Sequence, residues 1–130
     1  MGRSMLVLAI GISAGIILRA QTSEHNSKLT FTRDVAPILQ QNCQGCHRPG
    51  EAAPFSLLTY QQARPWAKAI KSAVMQKKMP PWFADPQFGE FSNKASLSQR
   101  EIDTLAAWAD AGAPLGELED MPAPRQFVEG

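Results

Sequence analysis

Three segments of the chain place their apolar residues at spacings of three and four, which is the period of an amphipathic helix. Only the short stretch from Lys28 to Thr32 alternates in the manner of a strand. The pattern therefore predicts an all-α domain with three main helices between residues 29 and 116. Residues 21–28 are expected to form a flexible N-terminus, and residues 117–130 an acidic, proline-bearing tail or linker without a core of its own.

The first predicted helix begins near Thr32 or Asp34. Asp34 is the expected N-terminal cap, and Pro37 falls in the first turn, where a missing amide hydrogen is tolerated. The apolar stripe of this helix is Val35, Ile38 and Leu39, with Cys43 and Cys46 continuing it.

The second predicted helix follows a capping box formed by Thr59 and Gln62. Pro65 lies close behind and interrupts helical hydrogen bonding. We expect either a kinked helix or a short turn before a helix from about Trp66 to Lys77.

The third predicted helix has the clearest boundaries. Ser98 and Glu101 form another capping box at its start, and Gly112 and Pro114 end it. Its apolar face is Ile102, Leu105, Ala106 and Ala109.

The first twenty residues have the order of a secretory signal peptide, with Arg3 before an apolar run from Met5 to Leu18 and Ala20 after it. As a helix this run would span about 21 Å, short of a hydrocarbon core of about 30 Å. We expect cleavage after Ala20, no integral membrane span afterwards, and a periplasmic or otherwise exported bacterial protein. An uncleaved N-terminal anchor is the alternative.

Composition limits the remaining possibilities. With 130 residues the chain allows one compact domain, and its 44% hydrophobic and 19% charged residues are those of an ordinary globular protein. A formal net charge of +1 gives no support for nucleic acid as the main partner.

The candidate chemistry lies in the sequence Cys43-Gln44-Gly45-Cys46-His47. In C-x-x-C-H the two thiols lie about one helical turn apart and are able to form thioethers with the two vinyl groups of one haem, while the imidazole reaches the iron. We therefore predict one covalent haem c, held by Cys43 and Cys46 and ligated by His47.

Three other interpretations of the motif are weaker. A thioredoxin-like redox pair expects a βαβ unit, which the pattern lacks. A zinc site needs four ligands, and beside the motif only the remote His25 remains. A disulfide between Cys43 and Cys46 would close a very small loop and leave His47 unexplained.

The second face of the iron has several candidate ligands. Besides water or an open site, they are His25 and the methionines Met5, Met75, Met79 and Met121. Met5 leaves with the signal peptide, Met121 lies in the tail, and Met75 falls off the apolar stripe of the second helix. Met79 remains, followed by the stiff backbone of Pro80 and Pro81. The alternative role for Met79 is that of an ordinary methionine at a helix end.

Other haem contacts are less sharply indicated. The second ring nitrogen of a ligating histidine normally donates to a fixed acceptor, and we assign the Pro54 carbonyl to that role. Trp82 is a candidate for the haem wall, as are Phe55, Trp66 and Phe83, and each of these aromatic residues is as well suited to an ordinary core.

Taken together, these segments resemble a monohaem c-type cytochrome domain of the class I kind. The resemblance also extends to a bacterial group of such domains that occurs as modules of periplasmic oxidoreductases, including copper monooxygenase-like proteins. It covers about residues 29 to 116. The segments that carry it, beside the haem motif, are Phe31 to Leu39, Pro49 to Glu51, Ala53 to Phe55, Ala63 to Trp66 and Met79 to Trp82.

The resemblance implies a small cytochrome c fold in which the first and last helices pack crosswise around one haem, with His47 and Met79 as axial ligands. The contacting residues would be Val35, Ile38 and Leu39 against Ile102, Leu105 and Trp108. It implies an electron carrier rather than an enzyme. A haem module or subunit that feeds a catalytic oxidoreductase, or a ligand-binding haem domain with an open sixth site, stays as the alternative.

Charge order along the chain suggests how a redox protein would bind. Five basic residues and no acidic residue lie from Arg64 to Lys78, whereas every charged residue among positions 101–120 is acidic. Lys77 and Lys78 immediately precede Met79, so they are expected near the haem crevice. We predict that an acidic partner docks there, the alternative being a solvated helix face.

Overall fold

The computed structural model describes residues 28–81 and 96–128, and these residues form helices and loops without a strand. The all-α prediction is therefore confirmed for this part of the chain. In chain order, the helical elements are a π-helical turn Phe31–Val35, α1 (Ala36–Asn42), α2 (Tyr60–Ala63), a 3₁₀ turn Arg64–Trp66, α3 (Ala67–Met75), α4 (Gln99–Asp110) and a 3₁₀ turn Leu118–Asp120.

The first helical segment starts at Phe31, one residue before the earlier of the two expected starts, with a π-helical turn that precedes α1. Thr30, rather than Asp34, is the N-terminal cap, and its hydroxyl accepts a hydrogen bond from the Arg33 amide. Asp34 instead binds back to the cap residue: its carboxylate accepts a 2.8 Å hydrogen bond from the Thr30 amide. The early start follows from burial of Phe31, whose amide donates to the Pro114 carbonyl at 2.9 Å.

Pro65 divides the second helical segment into separate pieces. The capping box of Thr59 and Gln62 is present and starts α2. The Arg64–Trp66 turn then separates α2 from α3, so the expectation of a short turn is confirmed over that of a kinked helix. Helix α3 ends at Met75, two residues before the expected Lys77.

Helix α4 has the predicted boundaries. Ser98 and Glu101 form its capping box, and the chain leaves the helix through Gly112 at a φ of 86°. The Trp108 indole then donates a 3.0 Å hydrogen bond to the carbonyl of Pro114. This bond holds the segment that follows the helix against the last turns of α4.

Residues from both ends of the domain pack together in one hydrophobic core. Phe31 and Trp108 are completely buried, with ring centroids 5.9 Å apart, and Tyr60 packs edge-on against Phe31 at 5.3 Å. The residues expected to connect the first and last helices all belong to this one buried cluster, namely Val35, Ile38, Leu39, Ile102, Leu105 and Trp108. The π-helical turn makes the contact with α4, and α3 packs along α4 more extensively than any other pair of elements.

The segment after Pro114 has no buried residue between positions 117 and 128. It nevertheless returns to the domain. The Arg125 guanidinium donates to the Gln40 carbonyl at 2.6 Å, and the Gln40 side chain donates to the Ala123 carbonyl at 3.0 Å. The tail therefore lies against α1.

Among residues 28–81 and 96–128, no helix combines the length and the apolar character needed to cross a membrane. The apolar run from Met5 to Leu18 and the expected cleavage point at Ala20 lie outside the described residues.

Candidate functional site

The C-x-x-C-H motif continues directly from the end of α1. Cys43 caps that helix, and its amide donates to the Leu39 carbonyl at 2.9 Å. The amides of Cys46 and His47 then donate to the Cys43 carbonyl at 3.2 and 2.9 Å. The two cysteines and the histidine therefore lie on one compact turn, as the spacing predicted.

His47 is buried with 9% of its surface exposed, and its Nδ1 lies 3.1 Å from the carbonyl oxygen of Phe55. A carbonyl only accepts, so Nδ1 carries the hydrogen and Nε2 of the neutral ring keeps its lone pair. This is the tautomer in which Nε2 is able to bind a metal.

The acceptor differs from the one expected, because it is Phe55 rather than Pro54. Two backbone bonds align the following loop with the motif: the Ala53 amide donates to the Cys46 carbonyl at 3.2 Å, and the Leu57 amide donates to the His47 carbonyl at 2.9 Å. In that alignment the Phe55 carbonyl meets the imidazole, while Pro54 is exposed. The expected type of partner is present, one residue further along.

Gln44, inside the motif, is a site residue that sequence reasoning missed. Its side chain is buried and donates a 3.0 Å hydrogen bond to the Leu57 carbonyl. Gln44 thereby ties the motif to the same loop that holds His47. A polar residue between two cysteines gave no sequence signal for this role, because the spacing of the motif leaves that position unrestricted.

The two thiols have different surroundings. Cys46 is exposed, whereas Cys43 is half-buried, and both are free. Burial, with smaller contributions from Cys46 and Glu101, raises the pKa of the Cys43 thiol to about 12. A raised pKa disfavours the thiolate that thiol–disulfide exchange needs, so Cys43 is poorly suited to be the attacking sulfur.

Aromatic rings extend from His47 to the surface. The His47 and Phe55 ring centroids are 4.6 Å apart, and Phe55 stacks on Trp66 at 4.0 Å with an interplanar angle of 11°. Phe55 is partly buried against the core, but Trp66 is 40% exposed. Of the two described wall candidates, Phe55 therefore contacts the histidine directly and Trp66 reaches it through Phe55.

Met79 follows the C-terminal turn of α3. The Lys78 amide closes that turn on the Ala73 carbonyl at 2.9 Å, after Lys77 adopts a positive φ of 55°. Met79 is 42% exposed and is not part of the buried cluster. Met75, 57% exposed, lies on the outer surface of α3 in agreement with its position off the apolar stripe. Trp82, Phe83 and His25 lie outside the described residues.

Arg48, the residue after the motif, connects the site to the tail. It forms an ion pair with Glu51 at 2.5 Å, and its guanidinium lies 4.4 Å from the centre of the Phe127 ring. Arg125 approaches the same ring at 5.2 Å. The sequence contains no signal for this cluster, because 79 positions separate Arg48 from Phe127.

Within residues 28–81 and 96–128, no group of three or more His, Cys, Asp and Glu side chains converges as a metal-binding cluster. Comparison of the chain with known protein families, with curated proteins and with solved structures gave no match.

Proposed function

We propose that the chain is an electron carrier of the c-type cytochrome kind, with one haem attached through Cys43 and Cys46 and ligated by His47. The observation that carries the proposal is the hydrogen bond from His47 Nδ1 to the Phe55 carbonyl. It directs Nε2, the nitrogen with the lone pair, away from the loop that holds the ring.

The residues of the site fit a haem in three respects. Cys43 and Cys46 lie on one turn immediately before the histidine, as two thioethers to a single macrocycle require. Both thiols are free, as the addition of sulfur and hydrogen across the two carbons of a vinyl group requires. Exposed apolar side chains also remain for a macrocycle to cover, Met79 among them.

A bound haem would supply a one-electron Fe(II)/Fe(III) couple. The protein's own contribution is to orient and to shield: the Phe55 carbonyl fixes the orientation of the imidazole, and the Phe55 ring packs against one side of it. In the described part of the chain, the carboxylate that acts on the motif, Glu101, is engaged by the Ser98 cap and the Asn42 side chain. We therefore favour electron transfer over catalysis.

Met79 is the proposed second axial ligand. The two prolines that follow it, which stiffen the backbone, support this assignment. Trp82 stays a proposed wall of the haem, and the small cytochrome c fold with crosswise terminal helices belongs to the same proposal. An open sixth site that binds a small ligand is the second candidate, favoured by the position of Met79 outside the core.

The proposed setting is the bacterial periplasm or another exported location, with a redox protein as partner. Lys77 and Lys78 are both exposed beside Met79 and form the proposed docking contact. Lys71 no longer belongs to this basic set, because it pairs with Asp110 of α4 at 2.6 Å. Part of the basic and acidic pattern along the chain therefore reflects an ion pair between α3 and α4.

The test is expression of the chain with periplasmic cytochrome maturation machinery, followed by acid–acetone extraction. The proposal predicts a red protein that retains its haem, with weaker retention in Cys46→Ala. Gln41→Ala, an exposed change on α1, is the matched control and should retain haem fully. Extractable haem in the unmodified protein, or stoichiometric zinc in its place, would overturn the proposal.

A further inference from the structure

The half-buried carboxylate of Glu101 makes two separate sets of contacts. One oxygen accepts hydrogen bonds from the amide and the hydroxyl of Ser98, both at 2.7 Å, and completes the capping box of α4. The other oxygen accepts a 3.2 Å hydrogen bond from the side chain of Asn42 on α1. This second contact joins two helices, so the capping box alone does not explain it.

Asn42 holds the carboxylate at the end of the helix that leads into the C-x-x-C-H motif. It is the last residue of α1, and Cys43 follows it directly. Its side-chain amide also donates to the Ile38 carbonyl at 3.1 Å, within the same helix. Two hydrogen bonds therefore fix the side chain that connects Glu101 to the position before Cys43.

The charge of Glu101 acts on the motif. Burial, Cys46 and Glu101 together raise the pKa of the Cys43 thiol. Burial opposes ionisation of Glu101 itself, but its hydrogen bonds to Ser98 and Asn42 lower its pKa, so the carboxylate is ionised at neutral pH. Within residues 28–81 and 96–128, no basic side chain forms an ion pair with it. The first cysteine of the motif therefore has a fixed negative charge beside it.

We propose that Glu101 sets the reduction potential of the haem attached through Cys43, and that its carboxylate lowers this potential. The inference rests on the proposed function. Oxidation of the iron passes one electron to a redox partner and adds one positive charge at the site, with no bond made or broken and no proton transferred. A negative charge held nearby stabilises the ferric state. Glu101 thus acts in the opposite direction to a thioether ligand, which favours the ferrous state.

The capping role of this position does not require a charge. The other capping box of the chain, at the start of α2, has the neutral Gln62 in the same place and makes both of its reciprocal bonds. Glutamine is therefore able to keep the Ser98 bonds at position 101. Glu101→Gln removes the negative charge and leaves the start of α4 capped.

The test is a redox titration of the haem-loaded protein at pH 7 and low ionic strength. Glu101→Gln should raise the potential, and the equilibrium constant for reduction should increase about twofold to tenfold. Asp103→Asn is the matched control: it removes one exposed charge from the same helix, about 200° around the axis from Glu101, and should give a smaller shift. Asn42→Ala removes the contact between the helices but keeps the charge, and it should also shift the potential less than Glu101→Gln.

A second pair of variants leaves α4 unchanged. Asn42→Lys places a positive charge against the Glu101 carboxylate and should raise the potential more than Gln41→Lys, which adds the same charge at the neighbouring exposed position. Shifts in Glu101→Gln and Asn42→Lys that do not exceed those of their controls would overturn this role of Glu101. So would equal shifts in Asn42→Ala and Glu101→Gln, because the contact rather than the charge would then be responsible. Either result, obtained on a protein that carries its covalent haem, leaves the proposed function intact. A chain that binds no covalent haem would overturn both.

Discussion

Nδ1 of His47 lies 3.1 Å from the main-chain oxygen of Phe55, and this one bond decides which ring nitrogen is left to bind a metal. The bond depends on the loop from Ala53 to Leu57, which two backbone hydrogen bonds align with Cys46 and His47. The chemistry of the histidine is therefore determined by a loop that begins six residues after it.

Gln44→Ala should loosen this arrangement, because Gln44 is the side chain that fastens the motif to the Leu57 carbonyl. Removing a buried donor and leaving its acceptor unpaired costs about 1–3 kcal/mol. Equilibrium unfolding in urea measures the loss. Gln61→Ala, an exposed change on α2, is the control and should leave the free energy of unfolding within about 0.5 kcal/mol. Equal effects of the two changes would show that the Gln44 bond does not stabilise the site.

Gly116→Ala should destabilise the fold by about 2–4 kcal/mol. Gly116 has a φ of 89°, and a Cβ there would lie 2.5 Å from both Thr30 Cβ and Thr32 Oγ1. The contact joins the segment after α4 to the cap of the first helix, so the clash acts on both ends of the domain.

Gly45→Ala is the matched control for that change, since a Cβ at Gly45 would meet nothing within 4 Å. Thermal unfolding of both variants provides the comparison. A transition temperature for Gly116→Ala equal to that of Gly45→Ala would contradict the close packing of the two ends.

Stability should fall with acid because of Glu101. Burial opposes ionisation of this carboxyl, but hydrogen bonds from the Ser98 amide and hydroxyl and from the Asn42 side chain outweigh it and hold the pKa below the ordinary 4.5. A lowered folded-state pKa stabilises the protein above the unfolded-state value, and the contribution is lost as pH falls through the folded-state value. The decline should therefore begin below a pH of about 4.5.

Ser98→Ala tests this assignment through the capping box, at a cost of about 1 kcal/mol near neutral pH. Part of that cost should disappear in acid, because a protonated Glu101 no longer gains from the Ser98 hydrogen bonds. Urea unfolding at pH 7 and pH 3 measures both values. A cost that is the same at the two pH values would show that Glu101 does not depend on Ser98.

The helix boundaries show how far local sequence signals reach. The capping boxes at Thr59 and Ser98 and the break at Pro65 are local, and each was predicted correctly from the sequence. The N-terminal cap of the first helix was not, because the burial of Phe31 against Trp108 depends on a residue 77 positions away. Tertiary packing places the cap at Thr30 rather than at the expected Asp34.

The candidate site, like the helix boundaries, was predictable from the sequence only in part. The compact turn of Cys43, Cys46 and His47 follows from their spacing in the sequence. The expectation of a carbonyl partner for His47 follows from the chemistry of a ligating histidine. The choice of Phe55 over Pro54 depends on loop alignment, which hydrogen bonds to distant backbone groups determine. The cluster of Arg48, Arg125 and Phe127 is a contact between remote segments, and no local pattern marks it.

Met79→Ala tests the proposed second axial ligand. If Met79 ligates the iron, its removal should open the ferrous protein to rapid carbon monoxide binding and lower the reduction potential, since a thioether favours the reduced iron. Met75→Ala is the matched control on the exposed face of α3 and should change neither property. Rapid carbon monoxide binding by the unmodified protein would instead favour the open sixth site.

The central claim is that Cys43 and Cys46 each form a thioether to one haem beside His47. The absorption spectrum of the alkaline pyridine complex measures it most directly, because the position of its α-band depends on how many vinyl groups have become thioethers. The account predicts a two-thioether spectrum for the unmodified protein and a one-thioether spectrum for Cys43→Ala and for Cys46→Ala. A spectrum with both vinyl groups intact in the unmodified protein, matured with the cytochrome machinery, would contradict it.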